Sequence, residues 1–196
     1  AQCLWTIMFA LEFIPLSLAA MLSILVCLVW TVERLQASSE SNILDYWLLK
    51  FPFHIHCGWI WAASLVNFNV VLVEQGLSNE LLTYFAWGSL GLLPVIALYY
   101  FWKRVWVVPM VLAWASYAIH VELSDPMEKI VNAFDEATIA NLKDVSEYMS
   151  YGLLGLTVVL FLIAQIVKFR NGRQSNDGSQ VEPLVDHEPK IEYNKQ

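Results

Sequence analysis

The chain has 196 residues, of which 58% are hydrophobic and only 15% charged, with a formal net charge of −7 and a mean hydropathy of +0.52. Soluble domains run near half apolar and a quarter charged, so this balance excludes an ordinary water-soluble globule. The acidic residues gather in 122–147 and 174–196, and no basic patch or nucleic-acid motif accompanies them, which excludes nucleic acid as a partner.

The chain opens at Ala1, without a methionine and already inside an apolar run. No charged region precedes that run, so it does not read as a signal peptide; we expect one or more helices to precede Ala1. A helix crossing the hydrocarbon core needs about 20 apolar residues. The run from Cys3 to Thr31 is too long for one crossing, so the first span is placed at 13–32. Pro15 then falls in its first turn, where a missing N–H costs little. Residues 1–11 read as the end of an earlier helix, with Glu12 at the water boundary. Residues 33–45 form a polar loop, and 45–50 lead along the interface into a second span at 52–73. Gly76, Ser78 and Asn79 mark a turn. The third span is 81–102, kinked at Pro94 and closed by Lys103 and Arg104, and the fourth is 105–121. Beyond it Met127, Ile130, Val131, Phe134, Thr138 and Leu142 recur at helical spacing in an acidic stretch. That pattern predicts an amphipathic helix over 127–142, lying on the membrane surface or capping the bundle. The fifth span is 148–168. The fold class is therefore all-α: an integral membrane bundle of about five helices over 1–173, followed by a polar, disordered tail over 174–196.

Lysine and arginine near span ends set orientation. Arg34, Lys50, Lys103, Arg104, Lys168, Arg170 and Arg173 fall on one side; Lys129 and Lys143 fall on the other, among carboxylates. The first side, with the C-terminus, is expected to be cytoplasmic or its topological equivalent. Trp30, Trp47, Tyr99, Tyr100, Trp102, Trp106 and Phe169 collect at the same boundary and read as an aromatic belt.

The second span carries the polar groups. His56, Ile60, Ala63, Asn67 and Glu74 share one helical face, and polar groups in a membrane helix turn inward. Small Ala63 and nearby Gly58 permit close helix approach. Placed near mid-membrane, Asn67 either ties two helices together or orients a ligand. Trp59, Trp61 and Trp114, with Trp87, lie inside spans, and with Ser64 and Asn67 they could line a cavity for a planar ligand; packing and lipid contact are the alternative. Glu12, Glu74, His120 and Glu122 all fall near the acidic boundary and would make a carboxylate–histidine site if the helix ends converge; capping of helix ends is the other reading. His54 and His56 diverge by about 200° on a helix, and His120 lies at the opposite end of its span. Haem ligation by these three is therefore not expected; they read as hydrogen-bonded interfacial histidines. Cys3, Cys27 and Cys57 match no zinc or disulfide spacing and read as packing residues. No nucleophile–base pair, metal motif or phosphate loop is present in the sequence, so no enzyme and no resident metal are expected.

Pro52-Phe53, Gly58-Trp59-Ile60, Ala62-Ala63 and Asn67 resemble the signature helix of the tryptophan-rich sensory protein-like branch of the TspO/translocator-protein superfamily. Trp5, Glu12, Ser17, Met21 and Leu28 are similar to the stretch that precedes it there, and Ala113-Trp114-Ala115 to a later motif. His54 and His56 stand where the branch usually has serine and tyrosine. The resemblance implies an all-helical bundle that holds hydrophobic planar molecules of the tetrapyrrole or sterol class between helices, in a sensory or transport role. Two other readings stay open. One is a non-catalytic accessory subunit of a membrane complex or homo-oligomer, with the acidic loop and tail as contact surfaces. The other is a small-solute or ion-coupled transporter with Glu12, Glu74 or His120 on a water path.

Overall fold

Where lipid replaces water, a backbone must satisfy its own N–H and C=O groups, which helices do within one segment. The computed structural model describes residues 2–37 and 43–178, with 172–178 described as backbone, and among these no strand occurs. The elements are α1 (Gln2–Ala10), α2 (Ile14–Ala37), α3 (Ile43–Asp45) leading into a π-helical turn (Tyr46–Lys50), α4 (Phe51–Glu74), α5 (Asn79–Trp102), α6 (Val107–Ser124), α7 (Glu128–Ala133) and α8 (Glu136–Gly178). Five helical stretches are long and apolar enough to cross a membrane: Ile14–Ala37, Ile43–Glu74, Asn79–Trp102, Val107–Ser124 and Glu136–Asn171. The chain divides into two compact units, Ala1–Val159 and Leu160–Gln196. In the described part of the second, Leu162, Ile163, Ile166 and Val167 are exposed, apolar surface suited to lipid.

Within the first unit α4 is central: α2, α5 and α6 all pack on it, α1 packs on α2, and α5 on α6. Hydrophobicity does not drive helices together inside lipid, so close packing and polar contacts must. Gly58 supplies the closest approach. A Cβ there would lie 2.8 Å from Val111 Cβ and 3.2 Å from the Val108 carbonyl oxygen, so α6 occupies the space a side chain would need.

Three helices end on a residue in the left-handed region: Glu12 (φ 59°), Gly76 (φ 67°) and Arg104 (φ 58°). Arg104 N–H then donates to Phe101 O at 3.0 Å and Val105 N–H to Tyr100 O at 2.9 Å, satisfying carbonyls the helix leaves open. The same pair of bonds closes α1 at Glu12, from Glu12 N–H to Phe9 O and Phe13 N–H to Met8 O. For Glu12 and Arg104 this conformation costs about 1–2 kcal/mol; at Gly76 it is free of that penalty.

The amphipathic helix expected over 127–142 forms as two pieces. α7 stops at Ala133, and Phe134 is extended at φ −131°, ψ 147°. The Asp135 carboxylate accepts the Thr138 N–H at 3.1 Å and the Thr138 hydroxyl, an N-cap that starts a new helix. With no breaker after it, α8 runs on from Glu136 through the span placed at 148–168. The tail expected from 174 is helical through 178; its remainder, 179–196, and residues 38–42 of the first loop lie outside the described residues. Thr138's hydroxyl and N–H hold the Asp135 carboxyl below its ordinary value of 3.8. A lowered folded value contributes stability above the ordinary value that fades as pH falls through the folded one. We expect amide exchange at Thr138 to speed up as pH drops below about 3.8 once intrinsic exchange is corrected. In Asp135→Asn the same amide should lose most of that dependence.

Candidate functional site

The inward face of α4 is polar in three places. In the first, Asn67 is 5% and Ser64 4% exposed. Asn67 Nδ2 lies 3.4 Å from Ser17 Oγ and 4.0 Å from Met21 Sδ, both on α2. Ser17 donates its one hydroxyl proton to Ile14 O at 2.8 Å, so its oxygen can only accept from Asn67. That fixes the amide: nitrogen toward α2, carbonyl elsewhere. Asn67 Oδ1 and Ser64 Oγ have no hydrogen-bond partner among the described residues. Ser17 stands in the first turn of α2, and Asn67 lies about 10 Å of helix rise before Glu74.

In the second place Trp61 Nε1 donates to Tyr100 Oη at 3.3 Å, and Cys57 Sγ lies 3.3 Å from the same oxygen. An indole N–H only donates, so Tyr100 accepts from Trp61 and its own proton is free for the sulfur. Cys57 and Tyr100 are fully buried, and this knot joins α4 to α5. Asn69 adds a second tie, Nδ2 to Ser89 Oγ at 2.8 Å. Third, His54 is buried with Nε2 unpaired, one turn after the buried Lys50. It was expected at the interface with a partner; the inward stripe is centred on His54, Cys57, Ser64 and Asn67, while His56 and Ala63 are half-buried and Glu74 exposed. The buried face is broad because α2, α5 and α6 all cover α4.

Trp59 and Trp114 do meet, with ring centroids 5.2 Å apart. They meet on the outside, 45% and 59% exposed, where lipid covers them, so they do not line an interior with Trp61, Ser64 and Asn67. Tyr100, expected in the aromatic belt, belongs to the interior. Trp30, Trp47 and Trp102 do face outward. At that end Glu33 accepts Tyr99 Oη at 2.6 Å and Lys103 Nζ at 2.8 Å, clamping α2 to the end of α5. The Glu33 carboxylate holds Lys103 above the usual lysine value.

The acidic-boundary residues do not assemble. Glu12, Glu74 and Glu122 are exposed, and among the described residues no group of three or more His, Cys, Asp and Glu could hold a metal ion. Glu12 is instead the left-handed cap between α1 and α2. His120 turns to α8: Nδ1 donates to Lys143 O at 3.2 Å, stands 3.9 Å from the Glu147 carboxylate, and the ring stacks on Tyr117. Glu147 is not legible as its neighbour, because the sequence predicts a separate amphipathic helix over 127–142 between them.

Three apolar spans packed on a Gly58-Trp59-Ile60 helix, with Asn67 docked on Ser17 and Met21, bring the resemblance residues of two segments into one contact. The model of the TSPO-like protein family matches residues 1–166. The chain belongs to this family. It is a multi-pass integral membrane protein of the TspO type. Neither a curated protein nor a solved structure matches the chain. In this TSPO-like chain the family region takes in α1 to α7 and most of α8, so the contact of Asn67 with Ser17 and Met21 lies wholly inside it.

Proposed function

We propose that this TSPO-like protein binds a hydrophobic planar or lipid-like molecule, of the tetrapyrrole or sterol class, between α2 and α4, in a sensory or transport role and without catalysis. One observation carries the reading: Asn67 Oδ1 and Ser64 Oγ, three residues apart on one face of α4, are buried and unpaired. Leaving a buried polar group unsatisfied costs about 1–3 kcal/mol, and a bound molecule that reaches both atoms recovers that cost. Trp61, whose indole is tied to Tyr100 of α5, stands outside the lining of that site. Trp59 and Trp114 drop out of the proposed lining because they face lipid. The lysine and arginine excess at the ends of α2 and α5 and at the start of α4 supports placing that side, and with it the C-terminus, in the cytoplasm or its equivalent.

The test is titration of detergent-purified protein with protoporphyrin IX and, separately, with the fluorescent sterol dehydroergosterol, following tryptophan emission. Saturable quenching by at least one is expected, with a midpoint about tenfold higher in Asn67→Ala. Trp59→Phe and Trp114→Phe should leave the midpoint in place. Linear, unsaturable quenching by both compounds, or midpoints indifferent to Asn67→Ala, would sink the reading.

A further inference from the structure

The hydrogen bonds around Asn67 restrict which polar group such a molecule can present. We infer that the group the ligand places against Asn67 is an uncharged hydrogen-bond donor, a hydroxyl in the simplest case, and never a carboxylate, so that any carboxylates the ligand carries lie away from this point. This rests on the binding reading above and specifies the chemistry of the same site.

Three observations lead there. Ser17 commits its proton to the Ile14 carbonyl, which forces the Asn67 amide nitrogen toward α2 and leaves the amide oxygen as the group on offer. A carbonyl oxygen only accepts, so its partner must donate. Ser64 is the second. The other buried serines and threonines with described bonds, Ser17, Ser116, Ser146 and Thr157, donate back to a carbonyl three or four residues earlier. Ser64 does not. Its hydroxyl can accept from the ligand or donate to it, so one ligand hydroxyl can donate to Asn67 Oδ1 and accept from Ser64.

Third is the absence of charge at this level. No Asp, Glu, Lys or Arg lies between Lys50 and Glu74 on α4, between Glu12 and Glu33 on α2, between Glu80 and Lys103 on α5, or between Arg104 and Glu122 on α6. A carboxylate here would face an amide oxygen with no cation beside it, in a medium where isolated charge is heavily penalised. An ether or ester of the same shape would bring only acceptors. A hydroxyl satisfies both protein atoms and brings no charge.

The experiment uses three probes that share one apolar body: 1-pyrenebutanol, its methyl ether, and 1-pyrenebutyric acid at pH 7.5. Each is titrated into the full chain in detergent, and energy transfer from tryptophan to pyrene is read. The alcohol is expected to bind about tenfold tighter than the ether and the acid, the loss of one buried hydrogen bond. In Ser64→Ala the preference should shrink, and in Asn67→Leu it should vanish while saturable binding of the ether persists. Comparing probes on the unsubstituted protein keeps the test decisive even where Asn67→Leu fails to fold. Equal saturable affinity for all three probes, or preference for the acid, overturns the donor inference but leaves a binding site standing. No saturable transfer from any probe overturns both.

Discussion

Gly58→Leu should separate α4 from α6 and leave little folded protein in detergent. Its first atom would already lie 2.8 Å from Val111 Cβ, 3.1 Å from Val111 Cγ1 and 3.2 Å from the Val108 carbonyl. Two of these atoms are backbone or rigidly attached to it, so no rotamer change relieves the clash and the helices must move apart. Overpacking of this kind costs about 1–3 kcal/mol for modest insertions, and a leucine at the tightest point exceeds that range. Gly58→Ala should fall inside it. Gly88→Ala and Gly91→Ala are the controls, because a Cβ at either meets nothing within 4 Å. A helix-interior alanine is favoured over glycine by about 0.5–1 kcal/mol, so these two should be neutral or stabilising. Thermal unfolding followed by size-exclusion in detergent separates the cases. If Gly58→Leu were to melt with the controls, the close contact of α4 and α6 would be wrong.

Tyr100→Ala is the second large effect. The ring is among the largest fully buried side chains, 1% exposed, and its hydroxyl is the meeting point of Trp61 and Cys57. Removing it leaves a cavity between α4 and α5 and costs about 3–5 kcal/mol by analogy with buried aromatic truncations. Tyr100→Phe isolates the polar part: the ring stays, Trp61 Nε1 loses its acceptor, and about 1–3 kcal/mol is expected. A Trp61→Phe, Tyr100→Phe pair should cost less than the sum of its singles, because Trp61→Phe removes the donor that Tyr100→Phe leaves unpaired. Strict additivity would mean the two side chains do not interact.

The sequence made the number of spans plain, because runs long enough for the hydrocarbon core are hard to mistake. It also marked Gly58 and Asn67 as inward-facing. What it could not locate was the angle of α4. A helix that is apolar on every side offers no periodicity to read, so the few polar residues had to serve as markers, and several faces fitted them. The stripe through His56 and Glu74 was as regular as the true one through His54, Cys57, Ser64 and Asn67. Trp59 and Trp114 illustrate the same difficulty: indoles suit both a bundle interior and lipid, and only the packing around them separates the two. Asp135 was passed over for a different reason. In a run of acidic residues a capping carboxylate looks like its neighbours until the chain around it bends. Tyr100, at the boundary by position along the chain, was drawn inward by two hydrogen bonds that no local pattern announces.

The turn from Lys103 to Trp106 also bears on how the protein is made. With so short a connection, closed by left-handed Arg104, helices α5 and α6 lie back to back from the moment both have emerged. We expect the two to enter the bilayer together, as one helical hairpin.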